Sequence, residues 1–473
     1  MENTMKKNIA YYTTRLCILI LVVFLLTYVL RISARVYAKV TGNTNKVVQL
    51  ILFDRNDLSN NKSKIGESFN WTDFYPFGES YQTDEPIKLA DRTYINKLQE
   101  NEKKINPKTR KIFSDGQIIS QIKNSESKLE KWITENCVER YFFLEKANYL
   151  ETLIKWNLTN DDYNATENIG DGHFSGFCKE INVDELSKSI VRFSRFLKSQ
   201  NIPLLYVQLP YKISKYDERF SGKFDFSNQN ADAVLANLKL NGIDTFDLRE
   251  SINDQSKNYL DMFFKTDHHW KPESGFWATN EIIKKLDSEY GFKMNLLKAE
   301  DFDYKVYRKA LLGSYGKKIT RAKTEPDDFT LIIPKKEYQI HFEVCDKHNK
   351  LADNYGSFNA MIDYGCIESD DLYGNDQFHG YGYGSSNNFI DNLSADNEYK
   401  ILLIGDSFTN VVVPFLALET KHVDRFDLRY FNGSLESFIK KNGPYDICLI
   451  LYNPDQYNQT PGFVSHEELF DFR

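Results

Sequence analysis

Three short apolar runs constrain the fold of this chain more than any other feature: Leu204-Leu205-Tyr206-Val207, Ile401-Leu402-Leu403-Ile404 and Ile447-Cys448-Leu449-Ile450-Leu451. Each is shorter than an ordinary helix and offers no polar side to water, so each reads as a strand covered on both faces. Helical patterns flank them. Residues 183–199 carry Leu186, Ile190, Phe193 and Leu197 on one stripe, and Asn201-Ile202-Pro203 leads from there into the first strand, which Pro210 stops. A second cycle places a helix over 231–240, a stop at Asn241-Gly242 and a strand over 244–248. The C-terminal third repeats it, with a strand over 400–404, a helix over 409–420, an extended run over 423–430, a helix over 435–441 and a strand over 445–452. The pattern predicts an α/β fold, a doubly wound parallel sheet with helices on both faces. In such sheets ligands bind outside the carboxyl ends of the strands.

The 473 residues exceed one ordinary domain. Past Lys6, Lys7 and Arg15 the run from Leu16 to Leu30 is uncharged. Extended back through Ile9, Ala10, Tyr11 and Tyr12, it approaches the roughly 20 apolar residues that a spanning helix needs. Arg31, Arg35 and Lys39 follow, so basic residues lie on both sides. Residues 1–36 read as a cytoplasmic tip and a transmembrane signal anchor, giving a single-pass protein of the cell membrane whose body lies outside the cytoplasm. A cleaved signal peptide ending near Val36-Tyr37-Ala38 is the competing reading. Residues 37–117, polar and without sustained period, read as a membrane-proximal stalk or cap. The body spans 118–473, with a helical pattern between Ile118 and Trp156. Its stretch 312–393 turns Gly-, Tyr- and Asp-rich, with short alternating segments at Thr330-Leu331-Ile332-Ile333-Pro334 and Tyr338-Gln339-Ile340-His341-Phe342. It reads as a β-rich insertion or a long loop over the site.

A net charge of −7 without a concentrated basic block argues against nucleic acid as the ligand. The six cysteines are scattered, with no Cys-x-x-Cys and no His at ligand spacing, so neither a structural zinc site nor a disulfide framework is implied. No cofactor is expected. The 29 Tyr and 34 Phe suit stacking on sugars, although a biased codon usage produces the same excess.

Chemistry concentrates in two places. Lys265-Thr266-Asp267-His268-His269-Trp270-Lys271 offers a carboxylate and an imidazole one residue apart, so that in an extended loop both point the same way and the carboxylate reaches Nδ1. His268 then faces away, Trp270 packs beneath, and a helix starts at Pro272-Glu273. Gly405-Asp406-Ser407-Phe408 follows a strand, where a tight turn permitted by Gly405 exposes Ser407 Oγ and aims its N–H at a developing oxyanion. A hydroxyl, an imidazole and a carboxylate are the groups that make an activated oxygen nucleophile. Each segment alone has an ordinary alternative: a loop with two solvated histidines, and a Gly-Asp-Ser turn capping the next helix. A metal reading of Asp-His-His lacks a further ligand nearby. Gly313-Ser314-Tyr315-Gly316 offers backbone amides or a hydroxyl for an oxyanion, and Asn432 or Asn453 a side-chain donor. Arg429 and Tyr452 are candidates for holding substrate oxygens.

Phe263-Phe264-Lys265-Thr266-Asp267-His268-His269-Trp270, the downstream Ala278-Thr279-Asn280 and Leu402-Leu403-Ile404-Gly405-Asp406-Ser407-Phe408 resemble the bacterial DHHW family and the related SGNH hydrolase-like proteins of alginate O-acetylation. The resemblance runs from about Ile118 to the C-terminus and weakens in the Gly/Tyr-rich stretch. In that group the acid and base precede the nucleophile, as they do here. The resemblance implies an SGNH-like catalytic domain over 118–473, with Asp267 as orienter, His269 as base and Ser407 as nucleophile. It further implies transfer of acetyl groups to exopolysaccharides outside the cytoplasm, often beside a membrane-bound O-acyltransferase. The expectation is therefore a membrane-anchored O-acetyltransferase whose partners are an acyl donor and a cell-surface glycan. A carbohydrate acetylesterase using the same three residues, and a non-catalytic glycan-binding or assembly protein, are the alternatives.

Overall fold

Alternation along the strands decides which side of the sheet each side chain serves. The computed structural model describes residues 86–90, 166–252, 258–384, 386–457 and 470–472. Its central sheet has eight strands. In chain order the strands of the body are β1 (Glu167–Gly170), β2 (His173–Ser175), β3 (Leu204–Gln208), β4 (Asp244–Asp247), β5 (Phe302–Leu311), β6 (Asp327–Pro334), β7 (Ile340–Cys345), β8 (Lys350–Gly356), β9 (Asn387–Asn392), β10 (Lys400–Gly405), β11 (His422–Phe426) and β12 (Ile447–Tyr452). Among the described residues the four longest helices are α1 (Asp184–Ser199), α2 (Ser227–Leu240), α3 (Pro272–Tyr290) and α4 (Leu435–Asn442).

The spatial order of the central sheet is β4-β3-β12-β10-β11-β9-β7-β8. From β4 through β11 all neighbours are parallel. Tyr206, Leu402, Ile404, Cys448, Ile450 and Tyr452 point into one core with α1, α2 and α4. Leu205, Val207, Ile401, Leu403, Ile447, Leu449 and Leu451 point into the other, against α3 and Phe415. Side chains of this kind contribute about 1.5–3 kcal/mol each when removed from water, which is why the wholly apolar runs lie at the centre. The chain leaves β10 for β11 on one side and returns to β12 on the other, so the carboxyl end of β10 opens into a topological crevice.

The sheet is mixed, not wholly parallel as the periodicity predicts. Strands β7, β8 and β9, drawn from the stretch 312–393, extend it antiparallel beyond β11, while β5 and β6 form a separate two-stranded ribbon. The physical reason is a polar cross-strand ladder. His341, Asp391 and His422 stand opposite one another on β7, β9 and β11, with Tyr355 of β8 stacked on the His341 ring at 4.1 Å. Cross-strand hydrogen bonds that the Asp391 carboxylate accepts from both imidazoles satisfy these polar side chains within the strands.

Two further expectations change. The helix expected over 409–420 is broken into 3-10 turns at Ser407–Val411 and Ala417–Glu419 around a single helical turn, Val413–Leu416. Pro414 removes a helix donor, and Val411, Val412 and Val413 are stiff at Cβ. The extended run after Val423 ends at Phe426, because the Asp427 side chain caps a 3-10 turn at Leu428–Tyr430 by accepting from the Arg429 amide. The anchor over 1–36, the helical pattern over 118–156 and, except for 86–90, the stalk over 37–117 lie outside the described residues. Among the described residues no helix is long and apolar enough to cross a membrane.

The ladder carries a pH signature. Burial opposes a charge on His422, but Asp391 at 2.5 Å and Asp424 at 2.8 Å outweigh it and push the imidazole up to about 9 from its ordinary 6.5. A raised histidine stabilises fully below pH 6.5 and loses that contribution as pH rises through about 9. His422→Asn is expected to cost about 1–2 kcal/mol below pH 6.5, after discounting for partial exposure. Urea unfolding of both proteins from pH 6 to 10 should show that gap closing near pH 9. A gap independent of pH would remove His422 from the account.

Candidate active site

Residues 263–271 form a pinched loop. Phe263 bridges Trp270, the Phe264 amide donates to the His269 carbonyl at 3.2 Å, and the Lys271 amide donates to the Met262 carbonyl at 2.9 Å. What bulges out between the pinch points is Lys265 to His268. The bulge is held by long-range partners: the Asp327 carboxylate accepts from the amides of Lys265 and Thr266, each at 2.8 Å, and from Thr266 Oγ1 at 2.6 Å. The Thr266 carbonyl takes the Gly316 amide at 2.8 Å.

Within the bulge the Asp-x-His spacing closes on itself. Asp267 Oδ1 accepts from the His269 amide at 2.9 Å and from His269 Nδ1 at 2.5 Å, while Asp267 Oδ2 accepts the Ser314 amide at 2.5 Å. Asp267 is fully buried. Burial works against its charge, but His268, His269 and the Ser314 amide overcome that and hold the carboxyl well below the usual range. The opposite ring nitrogen, His269 Nε2, lies 2.7 Å from Ser407 Oγ. Burial lowers the His269 pKa below its ordinary value, and Asp267 opposes that only in part, so the ring is a neutral base near pH 7.

Ser407 follows β10 at the crevice and is 6% exposed. Gly405 is required there for space: a Cβ would lie 2.7 Å from the Leu451 carbonyl of neighbouring β12. Ser407 opens the 3-10 turn that the Asp406 side chain caps through the Phe408 amide at 2.9 Å. The first amide of such a turn has no partner within it, leaving the Ser407 N–H available. Burial lifts the Asp406 carboxyl to about 7 even though the Asn453 and Phe408 amides favour its charge. Trp270 ties the two segments together, its Nε1 donating to the Phe408 carbonyl at 3.0 Å. Arg425, fully buried, donates to the Asp406 carbonyl, to Thr409 Oγ1 and to Asn410 Oδ1, each at 3.1 Å, and to the Ser386 carbonyl.

The other expected residues divide. Gly313 and Ser314 adjoin the site, but their amides are spent on Thr266 Oγ1 at 3.0 Å and on Asp267, so they brace the carboxylate and do not face an oxyanion. A Cβ on Gly313 would collide with the Asp267 side chain. Asn453 donates both its amide and its Nδ2 to Asp406 Oδ2 at 2.9 Å, supporting the nucleophile turn from behind. Arg429 is near enough for its charge to disfavour protonation of His269, yet its Nε and Nη2 are committed to Asp427 at 2.9 and 2.7 Å. Asn432 is exposed on a loop. Tyr452 belongs to the core on the α1 and α2 side, its ring 4.8 Å from that of Phe470. Alternation along β12 puts it there.

His268 does not turn away, because the loop is bent where the spacing predicts an extended one. Its ring lies 3.8 Å from that of His269, and its Nδ1 meets Ser314 Oγ at 2.9 Å. Phe378, which sequence reasoning misses, covers the other side of His269 at 4.0 Å and 16°. The imidazole is thus sandwiched between two rings. Phe378 sits in the Gly- and Tyr-rich stretch, where neither helical nor strand period marks a core position. Asn410 is a second omission: its Nδ2 is buried, in the same turn as Ser407, without a hydrogen-bond partner among the described residues. An unpaired buried donor costs about 1–3 kcal/mol, and its spacing from Ser407 is the only sequence signal that could have marked it.

Residues 178–326 match the family model of the SGNH hydrolase-like domain of the acetyltransferase AlgX. No curated protein matches the chain. Among solved structures, Bacillus cereus PatB1 with a sulfonyl adduct is similar at a TM-score of 0.55 and 20% identity, over 66% of this chain and 100% of that one. A DHHW family protein from Eubacterium siraeum is similar at 0.50 and 16%, over 66% and 96%. At these identities the likeness to the solved structures is one of fold. The resemblance to DHHW and SGNH hydrolase-like proteins read from the sequence is thus matched by the family model over residues 178–326 and by the folds of these solved structures.

Proposed function

We propose that this chain is an O-acetyltransferase that modifies a polysaccharide through an acyl-Ser407 intermediate. The observation that carries the reading is the continuous hydrogen-bonded path Asp267–His269–Ser407, with links of 2.5 and 2.7 Å. His269 Nε2 takes the proton as Ser407 Oγ attacks the acyl carbonyl, then returns it to the departing donor group. A sugar hydroxyl, deprotonated by the same nitrogen, attacks the acyl-serine and regenerates Oγ–H. Asp267 keeps the ring in the Nδ1–H form and stabilises the imidazolium formed twice per cycle. The Ser407 N–H supports the oxyanion. Covering of the imidazole by His268 and Phe378 favours transfer over the esterase reading, since water is the competitor for the acyl-serine. The cellular setting in this reading is the envelope, with the apolar run Leu16–Leu30 as anchor and a membrane-bound O-acyltransferase as donor partner.

Intact mass of the body after incubation with an activated acetyl ester tests the central claim. Wild type should gain one acetyl group, and Ser407→Ala and His269→Ala should gain none. An adduct persisting in Ser407→Ala would sink the assignment, and wild type without adduct or turnover would favour a non-catalytic role. Asp267→Asn is expected to lower turnover by about 10⁴-fold, as loss of the tautomer-fixing carboxylate does in serine hydrolases. Because His269 must be neutral and burial lowers its pKa, the acidic limb of the rate profile should fall below pH 6.5. Phe378→Ala should raise the ratio of hydrolysis to transfer with an oligosaccharide acceptor present; an unchanged ratio would show that Phe378 does not exclude water.

A further inference from the structure

We infer that Lys212 is a positioning residue for this site: its buried ammonium grips the carbonyls of Lys265 and Asp267 and so sets the geometry in which Asp267 meets His269. The inference rests on the reading of Asp267, His269 and Ser407 as the reacting set.

Lys212 lies in the loop beyond β3 and is 0% exposed. Its Nζ donates to the Asp267 carbonyl at 2.6 Å, the Phe174 carbonyl at 2.7 Å and the Lys265 carbonyl at 3.0 Å. An ammonium has three N–H donors, and here each meets a backbone carbonyl. Among the described residues it makes no ion pair with a carboxylate. Buried lysines are ordinarily neutralised by an acid at contact distance, because burying a lone charge is costly. A buried Nζ spent wholly on backbone carbonyls, two of them in the Asp267 bulge, is a structural commitment to that loop.

The arrangement on the opposite side makes the purpose specific. Asp327 takes the N–H groups of Lys265 and Thr266 while Lys212 takes the C=O groups of Lys265 and Asp267. One negative and one positive group grip the same short irregular segment, each by the backbone atoms that suit its sign. The Asp267 carbonyl is held at 2.6 Å while its carboxylate is held by the Ser314 amide. Both ends of the residue are therefore fixed, and the carboxylate has no freedom to leave His269 Nδ1.

Protonation of Lys212 enters directly. Burial pushes its pKa down to about 7; Asp267 and Asp327 oppose that and Lys271 adds to it. Tyr315 lies below the ammonium, 5.5 Å to its ring centre, and His173, lowered to about 3 by burial and nearby lysines, stays neutral. Lys265, the third lysine of the neighbourhood, contributes its carbonyl. A neutral amine has two N–H donors for three carbonyls, so one contact is lost as pH rises.

The test compares wild type, Lys212→Met and Lys212→Arg by the rate of Ser407 acylation from an activated acetyl ester and by the downfield proton resonance of His269 Nδ1–H. Lys212→Met should lower kcat about ten- to hundredfold with KM within about twofold, as a displaced catalytic group does. Its Nδ1–H resonance should shift or broaden while the thermal transition stays cooperative. Lys212→Arg, with a charge that does not titrate, should recover part of the rate and move the alkaline limb of the profile to higher pH. A Lys212→Met protein with wild-type kcat and an unchanged resonance would overturn the inference, as would an Arg variant with the wild-type alkaline limb. If neither variant folds, the wild-type resonance followed from pH 6 to 9 decides: it should change as Lys212 titrates, and constancy overturns the proposal. The resonance requires no turnover, so a wild type that forms no acyl adduct removes the proposed function while Lys212 is still judged.

Discussion

A carboxylate with no exposed surface is the constraint around which this molecule is arranged. Desolvating an ion costs several kcal/mol unless neighbours replace the lost water. Asp267 receives that replacement from three N–H donors, two from His269 and one from Ser314. Only one of those donors belongs to the proposed chemistry. The others are backbone amides, and holding them in place demands the pinched loop, the Gly313 contact and the grip of Asp327 and Lys212 on the bulge. Loss of any one of these would leave the carboxylate short of a donor before it altered the serine.

The second dependency is topological. The nucleophile turn rises from β10, whose neighbours on the two sides arrive from different parts of the chain, and the base loop precedes α3 on one face of the sheet. Trp270 joins them through a single hydrogen bond to the Phe408 carbonyl. Arg425 braces the turn through the Asp406 carbonyl, Thr409 Oγ1 and Asn410 Oδ1, so the nucleophile and base are each supported by a buried polar group with no part in proton transfer. Such supporting contacts are what preorganisation consists of in a site of this kind.

How much of this was legible in the sequence follows from the range of the interactions. Apolar alternation in β3, β10 and β12 is local, and so is the Asp267-x-His269 closure; both can be read from neighbouring residues. The antiparallel pairing cannot, because the contacts that join His341, Asp391 and His422 across strands link segments far apart in the chain. Lys212, Asp327 and Phe378 reach the site from distant segments and carry no periodic mark. Gly313, Ser314 and Asn453 stand in the expected neighbourhood but serve a different purpose. Their N–H groups go to Thr266, Asp267 and Asp406, because buried acceptors claim donors before a substrate can. Tyr452 falls to the opposite core by the pleat of its own strand.

The short segment at residues 86–90 bears on how this body is held. The amides of Lys88 and Ala90 donate to the side chains of Asn241 and Asn237, and Asn241 returns a hydrogen bond to the Lys88 carbonyl. Those asparagines lie at the end of α2, where the chain is about to enter β4, so the segment is fastened at the edge where the parallel strands begin. Ser407 stands at the edge where they end. A pull transmitted along the chain through residues 86–90 would load α2 and the start of the sheet, and the length of the strands would separate that strain from the nucleophile.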